Sequence, residues 1–120
     1  MNAVRTILLV DDDAVLSTVL ETILSRGGYS VLCATSAHQA LDLLAAHDVA
    51  AVITDLHMPR MKGDALLAHI AAAGKSLPAI LITGSGESSD AYAHSPGVSA
   101  VLVKPIQRGD LLAALANILP

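Results

Sequence analysis

Five short apolar runs punctuate the chain, at Thr6–Val10, Ser30–Ala34, Ala50–Thr54, Ala79–Thr83 and Ser99–Val103. Within each, hydrophobic residues follow one another instead of alternating with polar ones, which is the pattern of strands buried on both faces. The segments between them carry helical spacing. Val15, Leu16, Val19, Leu20, Ile23 and Leu24 form one stripe, closed by Gly27 and Gly28 as a C-cap. Ser36 and Gln39 form a capping-box pattern ahead of a helix that buries Ala40, Leu41 and Leu44. A third stripe of Leu66, Leu67 and Ile70 stops near Gly74, and a last one runs from about Gln107 through Leu111, Leu112, Leu115, Ile118 and Leu119. The segment from Gly84 to Gly97 is rich in Gly and Ser and contains Pro96, so a helix there is expected to span about two turns with little intrinsic stability. Strand and helix alternating five times predict an α/β domain: a five-stranded parallel sheet, right-handed crossovers and helices on both faces.

With 120 residues the chain suffices for one domain, residues 1–120, with no output domain expected in it. Trp and Phe are absent and only Tyr29 and Tyr92 are aromatic, so the core has to be aliphatic and rich in alanine. Net charge is −4 with the basic residues scattered, which argues against direct nucleic-acid binding. No apolar run approaches the ~18 residues of a membrane span, and three aspartates interrupt the first, so no membrane insertion and a cytoplasmic location are expected. The one cysteine, Cys33, sits in an apolar run and reads as a small buried residue.

In an open parallel sheet, functional groups collect beyond the carboxyl ends of the strands. Asp11, Asp12 and Asp13 follow the first run, Asp55 the third, Lys104 and Pro105 the fifth, and Thr83 ends the fourth. If the first and third strands are neighbours, their carboxylates converge, and a hard divalent cation such as Mg²⁺ (or Mn²⁺) relieves the repulsion. Carboxylates, cation, a lysine charge and a hydroxyl donor make a site for a phosphoryl group in transit, with an aspartate as a possible nucleophile.

The motif "DLHMPRMKG" at 55–63, "ILITG" at 80–84 and "VLVKP" at 101–105, together with Asp11 and Asp12, resembles the receiver domain of two-component response regulators along nearly the whole chain. The resemblance implies the flavodoxin-like, doubly wound sheet order 2-1-3-4-5. It implies that Asp55 is the phosphoacceptor, that Asp12 binds the cation directly and Asp11 largely through water, and that the backbone carbonyl of His57 is a further ligand. Thr83 and Lys104 would contact phosphoryl oxygens, Met58, Pro59 and Gly63 would shape the turn after the acceptor, and the Lys104–Pro105 bond would be cis. The implied donor is a sensor histidine kinase or a histidine phosphotransfer protein, docking beside the first helix with its polar Ser17 and Thr18. The implied output is a downstream protein partner or an output domain absent from this chain, reached by switching the surface around 84–106. Receivers of this kind are phosphoacceptors taking part in their own transfer and hydrolysis, not enzymes on other substrates. His57 and Ser85 occupy the positions that tune water attack in the family, and Val101 stands where many members carry an aromatic ring.

Two other readings stay open at this stage. Asp11 to Val15 also fits the D-x-D-x-[TV] loop of haloacid-dehalogenase-type phosphatases, which would make Asp11 the nucleophile and Asp13 the acid/base. A degenerate receiver would act only as an interaction module. Asp13 alone reads as a residue favouring the start of the first helix, and His38, His47, His69 and His94 lack metal-ligand spacing.

Overall fold

The structure, a computed structural model, describes residues 4–84 and 89–120. Its strands are β1 (Thr6–Val10), β2 (Ser30–Ala34), β3 (Ala51–Asp55), β4 (Ala79–Thr83) and β5 (Ala100–Val103). They form one all-parallel sheet in the order β2-β1-β3-β4-β5. The helices are α1 (Ala14–Arg26), α2 (Ala37–Ala46), α3 (Gly63–Ala72) and α4 (Arg108–Ile118). The fold is the expected flavodoxin-like arrangement, with β3 and β5 each starting one residue later than the apolar runs do.

Side chains of the three central strands alternate between two aliphatic cores. Leu8, Val10, Val52, Ala79 and Leu81 pack toward α2 and α3, while Ile7, Leu9, Ala51, Ile53, Ile80 and Ile82 pack toward α1 and α4. That is why β1, β3 and β4 read as uninterrupted apolar runs. The edge strands differ. Cys33 on β2 is exposed, not buried as the run suggested, because an edge strand has no neighbour beyond it and the covering helix does not reach every position.

The α1 stripe is narrower than its periodicity implied. Leu20 and Leu24 are buried and Leu16 and Ile23 half-buried, but Val15 and Val19 are 76% and 50% exposed. The sheet can cover only one side of a helix, and the six apolar positions span two adjacent columns. Thr18 and Thr22 turn their hydroxyls back onto the carbonyls of Ala14 and Thr18, at 2.9 Å each, so this solvent face is less polar than its composition. Ser17 is half-buried beside Cys33, so of the two polar positions only Thr18 faces solvent.

The largest departure is between β4 and β5. The fifth helix of the simple alternation does not form there among the described residues, which hold a single 3-10 turn at Ser89–Ala91. Ser85, Gly86 and Ser88, part of the weak segment, lie outside the described residues. The far end of this connector is nonetheless anchored. Gly97 has φ +81° and a Cβ there would stand 2.5 Å from the carbonyl oxygen of Leu67 on α3, while Ser99 Oγ accepts from the Ala79 amide at 3.0 Å. Tyr92 and Val98 pack against the core on that side. No helix among the described residues is long and apolar enough to cross a membrane.

Candidate functional site

Backbone hydrogen bonds carry the sheet pattern one step past the strand ends, so the residues there are held as firmly as the strands. The Asp11 amide donates to Ala34 O (3.0 Å), the Leu56 amide to Ile82 O (2.8 Å) and the Lys104 amide to Thr83 O (2.9 Å). With β1 beside β3 and β3 beside β4, the ends bearing Asp11, Asp55 and Thr83 lie next to one another. Carboxylate oxygens of Asp11, Asp12 and Asp55 all come within 4.8 Å of one another. Lys104 Nζ reaches across from β5 to 3.3 Å from Asp55 Oδ1, an ion pair without the alignment of a hydrogen bond.

Asp11, Asp55 and Thr83 are buried, whereas Asp12 and His57 are exposed. Asp11 Oδ1 accepts from the Asp13 amide at 2.8 Å. Its other oxygen, together with Asp55 Oδ1 and the Thr83 hydroxyl, is buried with no hydrogen-bond partner. Burial pushes the Asp11 carboxyl above the usual carboxylate range and the charge of Asp55 pushes it further, while the Asp13 amide and Lys104 offset part of this. Buried polar atoms without partners are rare, and here they cluster at converging anions. Such a set fits a hard, oxygen-loving divalent cation, held by Asp11, Asp12 and Asp55.

The loop after Asp55 is shaped by close contacts. Met58 is buried, and the Gly63 amide donates to Leu56 O at 2.9 Å. A Cβ on Gly63 would fall 2.2 Å from the Asp55 carbonyl oxygen, so only glycine fits where α3 starts against β3. Arg60 takes φ +72°, the left-handed region that favours glycine or asparagine. Lys104–Pro105 is cis, as the resemblance implied.

Asp13 is more than a charge near a helix end. It is the N-cap of α1, and its Oδ1 accepts from the amides of Val15 and Leu16 at 3.0 and 3.2 Å. A side chain so engaged is not placed to act as the acid/base of the phosphatase reading. His38, His47, His69 and His94 are all exposed and stand apart from the site. Thr54, a polar side chain inside an aliphatic run, has a buried hydroxyl that donates to the Asp55 carbonyl at 3.0 Å.

A doubly wound parallel sheet with acidic groups, a threonine and a lysine at its carboxyl edge defines a receiver-type signalling domain. The sequence profile of the response regulator receiver domain matches residues 7–116, and the chain belongs to that family. It is 38% identical over 114 residues to the transcriptional regulatory protein GlrR of Escherichia coli (strain K12), covering 94% of this chain and 26% of that protein. It is 34% identical over 116 residues to the sensory/regulatory protein RpfC of Xanthomonas campestris pv. campestris (strain 8004), covering 92% of this chain and 16% of that protein. The solved signal receiver domain of an HD domain-containing protein from Pseudomonas fluorescens Pf-5 matches with a TM-score of 0.88 and 36% identity, over 97% of this chain and 94% of that one. Both curated relatives are several times longer than the matched region.

Proposed function

We propose that this receiver domain takes a phosphoryl group on Asp55 from a phosphohistidine of a sensor kinase or phosphotransfer protein, with Mg²⁺ or Mn²⁺ bound beside it, in the cytoplasm. The observation that carries the reading is the buried, unpartnered oxygen pair of Asp11 and Asp55 with Lys104 Nζ 3.3 Å from the latter. A cation held by Asp11, Asp12, Asp55 and the His57 carbonyl would neutralise the anions that meet during transfer. The carboxylate of Asp55 attacks phosphorus, and the bond from phosphorus to the donor imidazole nitrogen breaks as the acyl phosphate forms. Lys104 exchanges its carboxylate partner for a phosphoryl oxygen, and the Thr83 hydroxyl, otherwise unpartnered, donates to another.

Partner docking is supported by α1, whose solvent face presents Val15 and Val19 beside hydroxyls turned inward. Output is supported by the connector between β4 and β5. It starts directly after Thr83, its described residues hold one 3-10 turn that contacts β5, and Val103 on that edge strand is 40% exposed. With Val101 half-buried in β5 and no ring at that position, the signal leaves through the backbone after Thr83 toward a downstream protein or a covalently attached output domain.

Wild type and Asp55→Asn, each incubated with phosphohistidine donor or acetyl phosphate, with Mg²⁺ or with EDTA, test the reading by intact mass. Only wild type with Mg²⁺ should gain a phosphoryl group. Equal labelling of both proteins, or labelling mapped to Asp11, would defeat it.

A further inference from the structure

Thr54 stands where the fold calls for an aliphatic residue. It is fully buried, one step before Asp55, on the sheet face shared with Leu8, Val10, Val52 and Leu81. Valine has the same shape, an equal fit to a strand and no polar atom. A hydroxyl in such surroundings costs free energy unless it is hydrogen-bonded. Its bond goes to the carbonyl of the very next residue, Asp55 O, at 3.0 Å.

That oxygen is confined by a second neighbour as well. Gly63 presses so near that a Cβ would stand 2.2 Å from it. The following carbonyl, Leu56 O, accepts from the Gly63 amide at 2.9 Å, and the Leu56 amide is tied to Ile82 O at 2.8 Å. The peptide group on the carboxyl side of Asp55 is therefore fixed at its oxygen by Thr54 and at its nitrogen by β4. The next carbonyl along is that of His57, expected to face the cation.

We propose that Thr54 is a positioning residue for the acceptor: its hydroxyl locks the Asp55–Leu56 peptide plane, which aims the Cα–Cβ bond of Asp55 and sets the course of the chain toward His57. The inference rests on Asp55 being the acceptor. Without the hydroxyl the Asp55 carbonyl is left buried and short of a donor, and the peptide tilts to find one. Displacements of about 1 Å at a reacting group can slow a step by about a hundredfold. A tilt of one peptide plane is smaller, and a fall of about tenfold is expected.

The test measures the rate at which acetyl phosphate labels Asp55 at saturating Mg²⁺, in wild type, Thr54→Val, Thr54→Ser and Thr54→Ala. Mg²⁺ affinity and the urea midpoint are recorded for each. In the reaction the acetate oxygen leaves phosphorus as Asp55 bonds to it. Thr54→Val should be about tenfold slower than wild type while still folded, and Thr54→Ser within about twofold of wild type. A merely structural role would change the urea midpoint without this separation of hydroxyl from shape. If Thr54→Val does not fold, Ser against Ala decides, since they differ only in the hydroxyl. Wild-type speed in the valine variant, or equal slowness of the serine and alanine variants, overturns the proposal. Failure of wild type itself to be labelled on Asp55 would overturn the acceptor assignment instead.

Discussion

Lys104 Nζ lies 3.3 Å from Asp55 Oδ1, so the lysine just past the edge strand already neutralises the carboxylate that a cation would also need. Removing the lysine should therefore separate two properties. Lys104→Ala should bind Mg²⁺ about fivefold more tightly, the effect of deleting one partly screened charge at this range. It should also lose at least tenfold in the rate of Asp55 labelling and most of its amide NMR response to beryllofluoride. Weaker Mg²⁺ binding in the variant would show that the pair helps build the cation site.

The raised pKa of Asp11 has a sign that can be checked. A carboxyl that holds its proton more tightly in the folded state than in the unfolded chain makes the metal-free protein lose stability as pH rises from the ordinary carboxylate value through the folded one. Asp11→Asn removes that loss. In EDTA at neutral pH the variant should melt a few degrees higher than wild type, and the gap should close in acid. Added Mg²⁺ should reverse the order, because ligand binding stabilises only the protein that retains the site. A variant less stable than wild type in EDTA at neutral pH would contradict the burial argument.

Gly97 and Gly28 share a positive φ but not the same surroundings. Alanine at 28, with φ +97° and open space around it, meets only the left-handed backbone penalty of about 1 kcal/mol. Alanine at 97 meets that penalty and the Leu67 carbonyl as well, and should cost about 3 kcal/mol. Urea unfolding of the two variants checks the difference; equal costs would mean that the connector does not bear on α3.

The anchors at Gly97 and Ser99 also set the far limit of the segment expected to respond to phosphorylation. Beryllofluoride should change hydrogen exchange between Gly84 and about His94, leaving Val98, Ala79 and the β5 amides as protected as before. Changes restricted to α1 would mean that the signal takes another route.

Much of this was legible in the sequence because a parallel sheet converts position along the chain into position in space. The polar residues at the ends of four of the five apolar runs, Asp11, Asp55, Thr83 and Lys104, had to arrive at one edge once the strand order was known. What the runs concealed were differences among sites of equal hydrophobicity. Val15 and Val19 belong to the same periodic stripe as Leu20 and Leu24, and only the limited width of the sheet exposes them. Cys33 sits in a run as apolar as β4, yet its strand lies at an edge, which follows from the strand order and not from local composition. The missing helix before β5 was foreshadowed by its glycines, serines and Pro96, whose weak propensity left the connector one 3-10 turn among the described residues. The hydroxyl of Thr54 was visible as an anomaly, but its partner is a backbone atom that no residue pattern reveals.

The exposed edge thiol is also an experimental handle. Cys33 is the protein's one cysteine and stands beside Ser17 and Glu21 of α1, while β5 occupies the opposite edge, about 19 Å away across four strand spacings. Partial desolvation against α1 raises its pKa, so coupling to a maleimide dye calls for mildly alkaline buffer. A fluorophore there would sense a partner docking on α1, as proposed, while standing clear of the segment proposed to answer phosphorylation. Recognition and response can then be timed separately, in a chain from which no native residue has been removed.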